Sequence, residues 1–108
     1  MSGELAGRLR ERIAIVRREP IRDAGGGASE GWATIGPAWA AIEPDGSGDL
    51  TAGDARAASP RWRVTLRLGA DVTVGDRLTW GQRRMRVRRR IDDPATPDRF
   101  TLHAEEER

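Results

Sequence analysis

The side chains able to do acid–base, nucleophilic or metal chemistry are dispersed along the chain, and apart from the carboxylates they are few. His103 is the only histidine; it falls on the Arg99/Thr101 side of a C-terminal segment, with an acidic tail behind it. A catalytic base needs a nucleophile or an orienting group at hydrogen-bond distance, and the sequence around His103 offers no such spacing. Asp92-Asp93 could begin a metal site, yet consecutive side chains of an extended chain point to opposite sides, so turning and solvating the chain is the simpler role. Cysteine is absent, which excludes disulfides and thiolate ligation. Gly25-Gly26-Gly27 could cradle a phosphate, but a P-loop continues through Gly-Lys-Ser/Thr into a helix, and here Ala28-Ser29-Glu30 follows. The expectation is a protein that is not an enzyme, with no catalytic, metal or cofactor site.

The densest chemistry is cationic. Within Arg83–Arg90, a strand would set Arg84, Arg86 and Arg88 in a row about 7 Å apart, able to follow a phosphate backbone or to meet a neighbouring subunit. The residues between them are Met85 and Val87, not the aromatics that base stacking uses. The 19 basic residues are all arginine, and 17 carboxylates leave a net charge of +2. The isoelectric point of 10.7 therefore reflects how little titrates between neutrality and arginine, not a strongly basic surface.

The elements that position these groups read as short strands. Leu9–Glu19 places Ile13 and Ile15 on one face and favours a strand, with a short amphipathic helix as the competing reading. Pro20–Gly31 reads as a turn around Asp23 and the glycine run. Trp32–Glu43 reads as two strand pieces with a bulge or edge at Gly36-Pro37, and its small alanines invite close approach of another element. Arg61–Leu68 alternates strictly, with Trp62, Val64, Leu66 and Leu68 on one face. Val72–Trp80 reads as two short strands about a Gly75-Asp76 kink, followed by a Gly81-Gln82 hairpin turn. Arg83–Ile91 puts Met85, Val87 and Ile91 on one face and Arg84, Arg86, Arg88 and Arg90 on the other, which leaves Arg89 on the apolar side and predicts a bulge or strand exit there. Phe100, Leu102 and Ala104 mark a last strand. The sum is an all-β chain: a small antiparallel barrel or sandwich of about six strands. One domain of 108 residues is expected, with residues 1–8 as an N-terminal arm. Leu, Ile and Val are sparse, so the tryptophans must supply core bulk, and Trp39 and Trp62 are predicted buried. No apolar leader is evident at the start, and the longest uncharged run, Gly31 to Ile42, is too short to cross a bilayer.

One stretch fits no strand. Asp45–Pro60 is rich in glycine, alanine and aspartate, with Leu50 its one large apolar residue. Loops beyond about 12–15 residues in a small domain are usually functional or disordered.

In order and spacing the chain resembles the phage head–tail joining family, also called head-closure or stopper proteins. The resemblance begins at Gly7-Arg8-Leu9-Arg10-Glu11-Arg12-Ile13 and continues through Asp23-Ala24-Gly25-Gly26, Trp32 and Trp39-Ala40-Ala41-Ile42-Glu43. It resumes at Arg63-Val64-Thr65-Leu66-Arg67 and Val74-Gly75-Asp76-Arg77-Leu78-Thr79-Trp80. Met85 departs from the family's usual aromatic, and Asp49 from its loop glutamate. The resemblance implies a structural neck component of a tailed phage or a phage-like gene transfer agent, assembled in the bacterial cytoplasm. It implies a homo-oligomeric ring, a hexamer, between the portal–adaptor protein and the tail terminator or tail tube protein, with transient contact to packaged double-stranded DNA and no membrane. The 45–60 loop would gate the channel through Asp45, Gly46, Gly48, Asp49, Leu50, Gly53 and Asp54, its aspartates repelling phosphates so that DNA slides. The alternatives are a small arginine-rich β-barrel that binds nucleic acid, or another neck component such as a tail terminator.

Overall fold

The computed structural model describes residue 5 and residues 7–22, 25–46 and 59–107. Six strands follow one another: β1 (Glu11–Arg22), β2 (Ala28–Pro44), β3 (Arg61–Arg67), β4 (Arg77–Trp80), β5 (Arg83–Ile91) and β6 (Arg99–Glu106). All pairings are antiparallel, and the order β1-β2-β3-β6-β5-β4 returns on itself as a closed barrel. The interior is built from alternate residues: Ile13 and Ile15, Ala40, Val64 and Leu66, Leu78, Met85 and Val87, and Phe100, Leu102 and Ala104. Each large apolar side chain so buried contributes about 1.5–3 kcal/mol, which explains how so short a chain sustains one core. Outside the barrel, Leu5, Gly7 and Arg8 form a helical turn, closed by the Leu9 N–H on the Leu5 carbonyl at 3.1 Å. Leu5 and Leu9 pack on Ala41, the small outward residue of β2.

The β1–β2 hairpin is longer than the sequence suggests. Pro20 and Glu30 are register partners within it, so most of the expected Pro20–Gly31 turn is strand. Beyond Val16, β1 pairs with β2 alone, and this end of the hairpin projects from the barrel as a ribbon. Gly36-Pro37 does not interrupt β2. Instead Ile35 is the extra residue of a bulge, since Ile15 pairs with Gly36 and Val16 with Thr34.

Four expectations are corrected. Val72 is buried, but residues 71–76 form a loop with Gly75 at φ +97°, so β4 is the only strand between Val72 and Trp80. Leu68 lies past the end of β3 and is 57% exposed. Trp39 is 52% exposed, because Ala38 and Ala40 take the inward positions of β2 and leave the indole outside, under the Arg12 guanidinium at 5.1 Å. The fourth concerns β5. Val87 pairs with Ala104 and Arg89 with His103, which makes Arg88 the extra residue of a bulge. A one-residue slip exchanges the faces of everything beyond it. Arg89 therefore turns outward, Arg90 shares the side of buried Leu102, and Ile91 leaves the apolar face.

Candidate functional site

The 45–60 segment leaves the barrel from a fixed base. The Asp45 N–H donates to the Arg61 carbonyl at 2.9 Å, and the Glu106 N–H donates to the Pro60 carbonyl at 2.8 Å, so β2, β3 and β6 are tied where the segment begins and ends. The Asp45 side chain is only 5% exposed, and its Oδ2 accepts from His103 Nδ1 at 3.0 Å. An open cleft of about 360 Å³ lies beside this pair, lined by Asp45, Arg61, Arg88, His103 and Glu105. Glu105 stands between two guanidiniums, Arg88 at 3.3 Å and Arg61 at 3.9 Å. Among the described residues no hydroxyl side chain lines the cleft, and the His–Asp contact ties the segment's base to β6. Gly46 is exposed beside it; Gly48, Asp49, Leu50, Gly53 and Asp54 lie outside the described residues.

The same end of the barrel carries an aromatic plug. Trp62 and Trp80 meet edge to face, 5.2 Å between centroids at 80°, a preferred geometry for paired rings. Trp62 is half-buried at this mouth, not enclosed in the core. The indole N–H of Trp62 donates to Glu106 at 3.3 Å and that of Trp80 to Glu11 at 2.9 Å. Arg83 covers both rings at 5.5 and 5.9 Å and reaches Glu106 at 2.7 Å.

The expected arginine row is divided. Arg84 is exposed, Arg88 is the bulged residue paired with Glu105, and Arg86 joins Arg77 on the C-terminal Glu107, at 3.0 and 2.6 Å. Arg77 and Arg86 also flank the Trp32 ring at 4.0 and 5.1 Å, with Arg18 at 5.2 Å. The hydrogen bond from Arg77, reinforced by the charge of Arg86, holds the Glu107 carboxyl below the ordinary glutamate range against some opposing desolvation.

At the other end, the 71–76 loop is clasped to β1. Asp76 is 2% exposed and accepts from Arg17 Nε at 3.0 Å, Arg17 Nη2 at 2.9 Å and the Thr73 N–H at 2.9 Å. Asp76, then Asp71 at 2.9 Å, push the guanidinium still higher than its usual range. Arg90 closes the interior beside them, 3.8 Å over Phe100, donating to the Val72 carbonyl and pairing with Asp92. Neither the Asp76–Arg17 clasp nor the Asp45–His103 pair was visible in the sequence. The one available signal was an aspartate placed directly after a turn glycine, Gly75-Asp76.

Three comparisons bear on what this arrangement belongs to. Among curated proteins, no sequence matches. The fold is shared with protein SF1141 from Shigella flexneri 2a, at a TM-score of 0.69 and 22% identity over 93% of this chain and 94% of that one. It is shared also with a chain of the virion of a native gene transfer agent particle, at a TM-score of 0.64 and 23% identity over 93% of this chain and 96% of that one. The family model for phage head completion proteins matches residues 5–107, from the helical turn on Ala41 to the glutamate between Arg77 and Arg86, and the chain therefore belongs to the phage head completion protein family.

Proposed function

We propose that this protein is a structural neck component of a phage or gene transfer agent particle, one that closes the filled head and joins it to the tail. About six copies would form a ring with closed symmetry, docked between the portal–adaptor and the tail terminator or tail tube, with DNA passing through it. Family membership supports the coarse part of this reading, a head–tail structural component. The finer part, a gate formed by residues 45–60, is carried by one observation. The segment's base is anchored by two backbone hydrogen bonds and a shielded Asp45–His103 contact, so whatever the segment does is done from a rigid mount.

The test separates gate from mount. Asp45 stays, because it holds His103, and residues 46–58 are replaced by a short Gly/Ser linker. Loop length alters closure entropy by only about 0.6 kcal/mol per doubling, so the barrel folds and docks. The expected result is particles that assemble but leave their DNA accessible to nuclease. Asp49→Arg with Asp54→Arg should instead retain DNA and slow its delivery. Full retention and normal delivery by the trimmed protein would make the segment a passive connection.

A further inference from the structure

The barrel wall made by β3, β6 and β5 presents a cationic outer surface. Its outward positions are Arg61, Arg63 and Arg67 on β3 (Thr65, on the same side, is covered), Arg99, Thr101, His103 and Glu105 on β6, and Arg84, Arg86, Arg89 and Ile91 on β5, with bulged Arg88 between. Arg61, Arg86 and Arg88 are occupied by Glu105 and Glu107. Arg63, Arg67, Arg84 and Arg89 are exposed, and none of them has an ion pair among the described residues. Arg63 and Arg89 flank His103 in one cross-strand row, about 10 Å apart across two strand spacings. With the whole chain at only +2, four uncompensated guanidiniums on one wall make the charge strongly one-sided.

We infer that this wall is a phosphate-contacting surface for double-stranded DNA, with Arg63, Arg89, Arg67 and Arg84 as its contacts. This relocates the cationic site from the Arg84/Arg86/Arg88 row, two of whose members are already neutralised. The composition of the wall selects the partner. Protein–protein interfaces place aromatic and aliphatic anchors at the centre and deplete charge there, whereas Ile91 is the only apolar side chain pointing outward from these three strands. Protein–DNA interfaces are more polar and far more positive. Phosphate contacts by guanidiniums carry no base readout, and no aromatic on the wall offers a stacking platform. The opposite half of the barrel does carry anchors, Trp39 and Pro37, both exposed, so a protein neighbour has a better seat there. The inference deepens the transient DNA contact of the neck reading and leans on it only for where DNA is met; the contact itself does not require the 45–60 segment to gate anything.

The experiment uses the full chain and a random-sequence duplex of about two helical turns, followed by fluorescence anisotropy over salt. Four phosphate contacts predict a log–log slope of about −3.6, so binding weakens roughly 100-fold between about 50 and 200 mM salt. Arg63→Gln with Arg89→Gln should reduce the slope by about 2, near 1 per contact, with the melting temperature unchanged. Arg12→Gln on the opposite wall should leave the slope as it is. Three results would overturn the inference: no binding at the lowest salt, a slope indifferent to Arg63 and Arg89, or poly-glutamate competing as well as DNA per charge. The last would make the wall a dock for an acidic protein. None of these outcomes alters the particle test of the loop, so the two readings fail separately.

Discussion

The two ends of the barrel are closed by different chemistry. At the loop end, Trp62 and Trp80 fill the mouth, and the carboxylates at its rim accept from the indole N–H groups and from the Arg83 that covers the rings. At the hairpin end, a shielded carboxylate and two guanidiniums do the closing, Asp76 with Arg17 and Arg90 over Phe100. An aromatic plug stabilises in proportion to area removed from water, so it weakens gradually when trimmed. A buried ion pair fails abruptly, because losing one partner strands the other's charge away from water. The lesson is that one barrel combines a graded closure and an all-or-none closure, and the two should be separable by mutation.

The largest effect is expected at the clasp. Asp76→Ala removes two of the three carboxylate hydrogen bonds of Arg17, leaving it Asp71 alone, and strands the Thr73 N–H; it should cost about 3 kcal/mol or more in denaturant unfolding. A cost under about 1 kcal/mol would erase the contrast between the ends. Trp62→Ala should cost less, about 2–3 kcal/mol, since the roughly 3–5 kcal/mol typical of Trp truncation applies to enclosed rings and Trp62 is half-buried. If it exceeds Asp76→Ala, the ranking of the two ends reverses.

Acid titration sharpens the comparison from both sides. The Glu107 carboxyl is held below its ordinary 4.5 by Arg77 and Arg86. Its contribution is present above the unfolded value and is lost as pH falls through the lowered folded value. At the hairpin end Asp92 and Asp98 are likewise lowered, by Arg90 and Arg99. Glu107→Gln should therefore remove part of the stability loss seen below about pH 4.5, an effect under about 1 kcal/mol for so accessible a pair. The remainder should persist through the hairpin-end aspartates; a variant with no acid-induced loss at all would place the whole dependence on Glu107. The smallest effect belongs to Trp39→Ala, which should stay within about 0.5 kcal/mol as an outward substitution. A loss of several kcal/mol in thermal melts would mean the indole supports the fold.

The strands were legible where alternation was strict. Trp62-Val64-Leu66, Met85-Val87 and Phe100-Leu102-Ala104 give the inward face directly, and the six-strand antiparallel architecture follows from them. Trp39 misled because both faces around it are apolar, so periodicity could not choose. The choice was made by space: a barrel interior already holding Leu66 opposite Ala40 takes the alanines and excludes the indole. Arg90 misled because a single inserted residue at Arg88 reverses the pattern, and a sequence announces that a bulge is needed more clearly than what lies beyond it. The Asp45–His103 and Arg17–Asp76 contacts join residues distant in the chain. No local spacing encodes such pairs; they exist only once register is set.

The narrowest pairing in the ring has a dynamic consequence. β1 and β4 meet through three register pairs, Ala14–Thr79, Ile15–Leu78 and Val16–Arg77, and the residues immediately beyond Val16 and before Arg77 are the clasp, Arg17 and Asp76. A cylinder opens where fewest bonds must break together. The amides of this seam should therefore exchange with solvent deuterium through a partial opening, well before those of the seven-pair β3–β6 wall. The clasp sets the free energy of that opening: with it intact the barrel breathes rarely, and without it the molecule becomes a six-stranded sheet with two free edges for part of its lifetime.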